Sequence, residues 1–258
     1  MKRFIIPFLL SLIFAGLMAG CNQQEEPLGG APETATLNLL LTDAPGDYDA
    51  ILITFSQISA NLDSNWITFL DTPRTVDLLA WQNGRTLLVG SEDIPAGRLH
   101  QVRLLVDSAR VVVDGVSYNL EVPSGAQTGL KLNVQSDIPA DAIYELVLDF
   151  DAGRSVLRTG NGRYKLKPVI RAMPRAVTGS ITGTIVNGEH LPVAYAMAGP
   201  DTITSSLADP FTGSFQLAFL PEGVYSVSIS DTTGRGFVED SVSVRSGNST
   251  DLGSIILQ

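Results

Sequence analysis

The chain has 258 residues, with 27 acidic against 17 basic side chains and a formal charge of −10. So acidic a protein repels nucleic acid and anionic lipid surfaces, which excludes attachment through a basic patch. A single cysteine excludes an internal disulfide and any metal site built on several thiolates.

Lys2 and Arg3 head an apolar run from Phe4 to Leu17, interrupted by Pro7 and Ser11. The run falls short of the roughly 20 residues that a bilayer-spanning helix needs. It ends in the small pair Ala19-Gly20 directly before Cys21, the layout of a signal peptide over residues 1–20. Leu17-Met18-Ala19-Gly20-Cys21 resembles the lipobox of bacterial lipoproteins, with Met18 where an aliphatic residue is usual. That resemblance implies cleavage between Gly20 and Cys21 and a diacylglycerol, with chains such as palmitate, on the Cys21 sulfur. One acyl chain holds a protein only marginally, at about 0.8 kcal/mol per buried methylene, whereas two or three hold it well. The expected partner is therefore a membrane, reached through Cys21, and the expected location is the bacterial cell envelope, at the outer membrane.

Residues 21–35 read as the lipidated cysteine and a flexible tether, polar and rich in Gly and Pro. Glu25-Glu26 soon after the cysteine resembles the export tag of surface lipoproteins in Bacteroidetes-type bacteria; solvating charge on the tether explains the pair equally well. Without residues 1–20, 15 basic residues face 27 acidic ones, a charge of −12 over 238 residues. That length suffices for two domains with their own cores. Short apolar alternations punctuated by Gly, Thr and Ser, with no long period of 3.6, predict an all-β protein of two tandem sandwiches.

The first sandwich spans 36–172. A strand at Thr36–Leu41 is broken at Pro45-Gly46, where Pro45 presets φ and Gly46 is expected to supply the positive φ of a type II turn. Ile51, Ile53 and Phe55 alternate with Leu52, Thr54 and Ser56, the pattern of a half-buried strand. Further strands are predicted at 66–70, 85–89, 101–106, 110–113, 116–122, 130–134, 143–150 and 164–170. Asp114-Gly115 is a tight-hairpin signal. Asp93-Ile94-Pro95-Ala96 and Asp137-Ile138-Pro139-Ala140 lead into apolar alternations at equal offsets. Proline is expected there at strand entry, and either duplication or two similar turn-to-strand junctions explains the pair.

Leu40-Leu41-Thr42-Asp43-Ala44-Pro45-Gly46-Asp47-Tyr48-Asp49-Ala50 is similar to the signature of an uncharacterised domain family common in bacterial lipoproteins. Thr128-Gly129-Leu130-Lys131-Leu132, Leu148-Asp149-Phe150-Asp151-Ala152 and Leu166-Lys167-Pro168-Val169-Ile170-Arg171 carry the same resemblance. It implies no activity, since that family has none assigned.

After a joint at 173–178, residues 179–258 start a new alternating pattern of about seven short strands, with Tyr225, Val227 and Ile229 on one face and serines on the other. The order of Gly183-Thr184-Ile185, Pro192-Val193, Gly213-Ser214-Phe215 and Leu220-Pro221-Glu222-Gly223-Val224-Tyr225 resembles carboxypeptidase regulatory-like domains. That implies a prealbumin-like sandwich, a spacer or binding module. The Lys–Asn staple of some relatives is excluded, since no lysine follows Lys167.

Candidate site residues are few. Asp43, Asp47, Asp49, Asp149 and Asp151 form a calcium candidate if the first turn meets the Asp149 strand; local turn chemistry is the competing use. Of the two histidines, His100 is in phase with Val102 and Leu104, as a strand residue at the core edge, and His190 lies in a solvated turn. No Gly-X-Ser-X-Gly elbow, His-Glu-X-X-His pair or phosphate loop occurs. Trp66 and Trp81, with Tyr48 and Tyr118, are candidates for stacking on sugar rings, or for core packing. The expectation is an envelope-anchored, non-enzymatic module binding glycan or protein, without a catalytic residue; the alternative is a carboxylate-dependent hydrolase.

Overall fold

A computed structural model of the protein describes residues 33–124 and 128–258. The expected signal peptide, Cys21 and most of the expected tether lie outside the described residues. The first strands are β1 (Thr34–Ala44), β2 (Ala50–Leu62), β3 (Asn65–Leu70), β4 (Arg74–Asp77) and β5 (Leu87–Pro95). Then come β6 (Gly97–Val113), β7 (Val116–Glu121), β8 (Leu130–Ile138) and β9 (Ile143–Asp151). A single helical turn, α1 (Ala152–Ser155), leads to β10 (Val156–Arg158), β11 (Tyr164–Leu166) and β12 (Ile170–Pro174). The remaining strands are β13 (Thr178–Ile185), β14 (Val193–Ala198), β15 (Asp201–Leu207) and β16 (Ser214–Pro221). The chain closes with β17 (Gly223–Ser230), β18 (Gly236–Val244) and β19 (Ser249–Ile255).

The protein is all-β. In the first sandwich a four-stranded sheet, β12-β9-β1-β5, faces a larger one, β10-β11-β7-β6-β2-β3, to which β4 and β8 add. Leu37, Leu39 and Leu41 of β1, Ile51, Ile53 and Phe55 of β2, and Leu146, Leu148 and Phe150 of β9 alternate into the core between them. Two-residue side-chain periodicity puts every second residue of each strand on that face. Phe55 and Phe150 meet edge-on across the layers, ring centroids 6.1 Å apart, a preferred aromatic geometry.

Several junctions differ from the sequence expectation. Gly46 does not take a positive φ. Its constraint is proximity, since a Cβ there would lie 3.2 Å from the backbone N of Gly153. The predicted strand over 164–170 divides, because the chain crosses at Pro168 from β11 in the larger sheet to β12 in the four-stranded one. The stretches at 101–106 and 110–113 instead join into one long strand, β6. Pro95 and Pro139 stand at strand exits rather than entries, and both motifs carry the chain from one layer to the other, β5 to β6 and β8 to β9. Ile94 and Ile138 are both buried at these crossovers, so the shared tetrapeptide marks a shared geometry. Asp114-Gly115 closes the β6–β7 hairpin with φ of 50° and 73°, both left-handed as a type I′ turn requires.

The second sandwich sets β16-β13-β19 against β15-β14-β17-β18. Tyr225, Val227 and Ile229 point into its core with Leu217 and Phe215, and the Tyr225 hydroxyl donates to the Pro221 carbonyl at 2.8 Å. Residues Pro32–Gln258 form one compact unit, held together by a third, small core of Leu40, Val147, Met173 and Phe219.

Gly46→Val should lower the urea midpoint strongly, because backbone atoms cannot yield to the added side chain. Gly115→Ala, whose Cβ meets nothing within 4 Å, should cost only the left-handed penalty of about 1–2 kcal/mol. Equal losses in equilibrium urea unfolding would contradict the close-approach reading.

Candidate functional site

Polar chemistry gathers at the joint between the sandwiches, on the outer face of the larger sheet, and in a depression of about 700 Å³ bordered by Asp47, Asp49, Asp114 and Asp231. The joint arises from the parallel pairing of β1 with β9, in which Thr42 faces Asp149 and Asp43 faces Phe150. Side chains alternate along each strand, so Asp43 turns to the core side and Asp149 to the second sandwich.

Asp149 is 6% exposed. Its Oδ2 accepts from Arg171 Nε at 2.6 Å and lies 2.5 Å from Arg171 Nη2, a pairing set by the β9–β12 register of Asp149 opposite Arg171. Burial pushes its carboxyl above the usual range, against the opposing pull of the Arg171 charge and hydrogen bond. Asp43 is 5% exposed, and its Oδ1 accepts the Ala152 N–H at 2.9 Å. Its Oδ2 has no hydrogen-bond partner. Burial raises Asp43 well above an ordinary carboxylate; the Ala152 N–H works against this, and Asp149, Asp151 and Asp77 add to it. Both acids border a void of about 10 Å³ that also touches Asn83, Thr204, Gln216 and Phe219. That space holds about one water and admits no substrate.

Around the void the two sandwiches lock. Asn83 Nδ2 donates to the Leu207 carbonyl at 3.0 Å, the Ser206 hydroxyl donates to Asn83 Oδ1, and Arg154 Nη1 donates to the Thr202 carbonyl at 3.4 Å. Thr42 Oγ1 reaches the carbonyls of Trp81 and Arg85 at 3.0 and 2.9 Å, fixing the loop that carries Asn83.

The other acids of the calcium candidate are spread among separate partners. Asp151 Oδ1 caps α1 by accepting the Arg154 N–H at 2.9 Å, Asp49 Oδ2 accepts the Gly115 N–H at 2.7 Å, and Asp47 is exposed. Strand alternation sends Asp43 and Asp149 to opposite faces although their strands do meet. Among the described residues no group of three or more His, Cys, Asp or Glu is arranged to hold a metal ion.

The aromatic candidates also part company. Trp81 is half-buried against the first core beneath the Arg85 guanidinium, 5.5 Å from the ring centroid. Tyr48 packs against that core, and Tyr118 leans on Tyr164 at 5.1 Å. Trp66 is 44% exposed. It heads a row across four strands: Trp66 of β3 pairs with Asn61 of β2, Asn61 with Gln101 of β6, and Gln101 with Asn133 of β8. Gln101 Nε2 donates to Asn133 Oδ1 at 3.0 Å. Beside them, His100 Nδ1 lies 3.4 Å from Gln135 Oε1. His100 is not at the core edge: a bulge between Leu99 and Gln101 shifts the phase, leaving Leu99 and Val102 inside and His100 outside. His190 is exposed in its turn. The carboxamide row was hidden in the sequence, since its members lie up to 72 positions apart and only the sheet register aligns them.

The family model described as "Domain of unknown function (DUF4382)" matches residues 34–168. No curated protein matches the chain. Among solved structures it is similar to the Bacillus anthracis TIE protein, at 9% identity and a TM-score of 0.25 over 87% of this chain, and it spans 34% of that protein's length. It is also similar to a minor pilin of Streptococcus agalactiae, at 10% identity and a TM-score of 0.23 over 85% of this chain and 94% of the pilin. A fimbrial protein from Bacteroides ovatus gives 10% identity and 0.23 over 88% of this chain and 50% of that one. Scores of this size carry no argument about function.

Because Asp43 and Asp149 are both raised, the folded chain holds their protons more tightly than the unfolded one. The stability they contribute is complete below the ordinary carboxylate range and is lost as pH rises through the raised values. Asp43→Asn keeps an acceptor for the Ala152 N–H. It should raise the melting temperature at about pH 8 and leave it nearly unchanged at about pH 4; a lower melting temperature at the higher pH would contradict this.

Proposed function

Since the chain belongs to the DUF4382 family, whose function is unknown, its role has to be read from its own residues, and we propose an exported, lipid-anchored, non-catalytic binding module of the bacterial envelope. One observation carries the non-catalytic part: the two carboxyls with raised proton affinity are buried on opposite faces of their strands, and the space their residues border is a void of about 10 Å³. A glycoside hydrolase needs its two acids flanking a substrate-sized cleft. Here they serve packing, and the His100 ring lies against Gln135. What remains for function is contact, through outward-facing side chains on a stiff block of two sandwiches, with a glycan or an envelope protein as ligand.

The anchor rests on Leu17-Met18-Ala19-Gly20-Cys21 and the short apolar run before it. The acyl chains on Cys21 hold the module at the outer membrane, where residues 21–35 give it reach and its own acidity keeps it off anionic headgroups. The second sandwich, in this reading, is a regulatory-like spacer locked to the first.

In cell fractionation, the wild-type chain should partition with membranes and Cys21→Ala should not, appearing as released or unprocessed protein. A cleaved Cys21→Ala chain that stays on the membrane would overturn the anchor. Cleavage of a glycan by the purified protein, abolished by a single Asp→Asn change, would overturn the non-catalytic reading in favour of the hydrolase.

A further inference from the structure

The outer face of the larger sheet holds a built recognition surface. Trp66, Asn61, Gln101 and Asn133 lie in one register across β3, β2, β6 and β8. At the usual strand spacing this row is about 14 Å long. Ser64, His100 and Gln135 complete the rim of an open depression of about 360 Å³, within the range of about 300–1,000 Å³ typical of ligand sites.

Its chemistry is narrow. The lining has four carboxamides, one hydroxyl, one imidazole and one indole, with no carboxylate, lysine or arginine. Each carboxamide offers an acceptor oxygen and two N–H donors, which suits adjacent hydroxyls that also donate and accept. The indole gives a flat apolar wall on which the C–H face of a sugar ring packs. Backbone groups of β2 and β6, in the middle of the row, are consumed in the sheet on both sides, so no peptide strand can be added between them.

The indole is also held in place. The Arg103 guanidinium lies over its ring, 4.2 Å from the centroid. The Arg103 stem rests in the space left by Gly129, where a Cβ would collide with its Cγ and Cδ. Arg103 does not line the depression, so the part of the indole that does is a surface the guanidinium leaves open. A fixed aromatic wall loses little side-chain freedom on binding.

We propose that this face binds a neutral saccharide, its ring against Trp66 and its hydroxyls on Asn61, Gln101 and Asn133. This rests on the binding-module reading and names the ligand class. The lining itself holds no ionised group, and the neighbouring Arg103 charge is turned onto the indole ring, which favours uncharged sugars over uronates or sialylated chains.

The test is calorimetric titration of the full chain, in a detergent without a sugar head group, with neutral hexose and N-acetylhexosamine oligosaccharides. Acidic oligosaccharides and an unrelated peptide serve as comparisons. A neutral oligosaccharide should bind, and Trp66→Ala should weaken it at least about tenfold, as removal of a central aromatic anchor does. Gln101→Ala and Asn133→Ala should each weaken it severalfold, with all three variants still unfolding cooperatively because none of these side chains belongs to the core. Trp81→Phe should leave it intact. Neutral binding that survives Trp66→Ala and Gln101→Ala would overturn the site while leaving the module reading standing. Selective binding of acidic sugars or peptide, or of no saccharide, would overturn the ligand class. Turnover of a bound sugar would instead overturn the non-catalytic reading.

Discussion

Parallel pairing of β1 with β9 is the constraint on which the rest of this structure depends. It joins segments about a hundred residues apart, Ala44 beside Asp151 and Thr36 beside Ile143. Such long-range pairing must be repaid by burial, and Leu37, Leu39, Leu41, Leu146, Leu148 and Phe150 repay it on the core side. The opposite face of the same two strands carries Leu40 and Val147, which meet Phe219. One ladder thus serves two interfaces, and its far end delivers Asp43 and Asp149 to the boundary between them.

Burying two acids there is costly, and the compensation is uneven. Asp149 has Arg171 at close range, whereas Asp43 has one backbone N–H and an Oδ2 without a partner. Desolvation therefore wins at both, and proton affinity rises. Raised carboxyls often mark catalytic sites; the space beside these two is a void of about 10 Å³, too small for a sugar ring. The acids instead tie the strand ends to α1 and β12, from which Met173 and the second sandwich follow.

Much of the architecture was legible. Alternation identified most strands, Asp114-Gly115 identified its hairpin, and Tyr225, Val227 and Ile229 identified their buried face. The failures share a cause, in that local pattern cannot see register. His100 reads as a core-edge residue until the bulge at Gln101 turns it outward. Gly46 reads as a turn glycine, although its neighbour is Gly153 from across the sheet. Asp43 and Asp149 read as possible co-ligands, and strand alternation separates their faces. Exposure likewise separated Trp66 from Trp81, which the sequence treats alike, and sheet register alone assembled the carboxamide row.

The central claim is that the Leu40–Val147–Met173–Phe219 cluster and the Asn83 and Arg154 hydrogen bonds, on strand ends braced by the Asp149–Arg171 pair, make the two sandwiches one mechanical body. Scanning calorimetry of the full chain at neutral pH tests it most directly. The account predicts one transition in which calorimetric and van't Hoff enthalpies agree, as for a single cooperative unit, and predicts that Arg171→Met, which strands the Asp149 charge, splits it in two. Two separate transitions in the unaltered protein would contradict it.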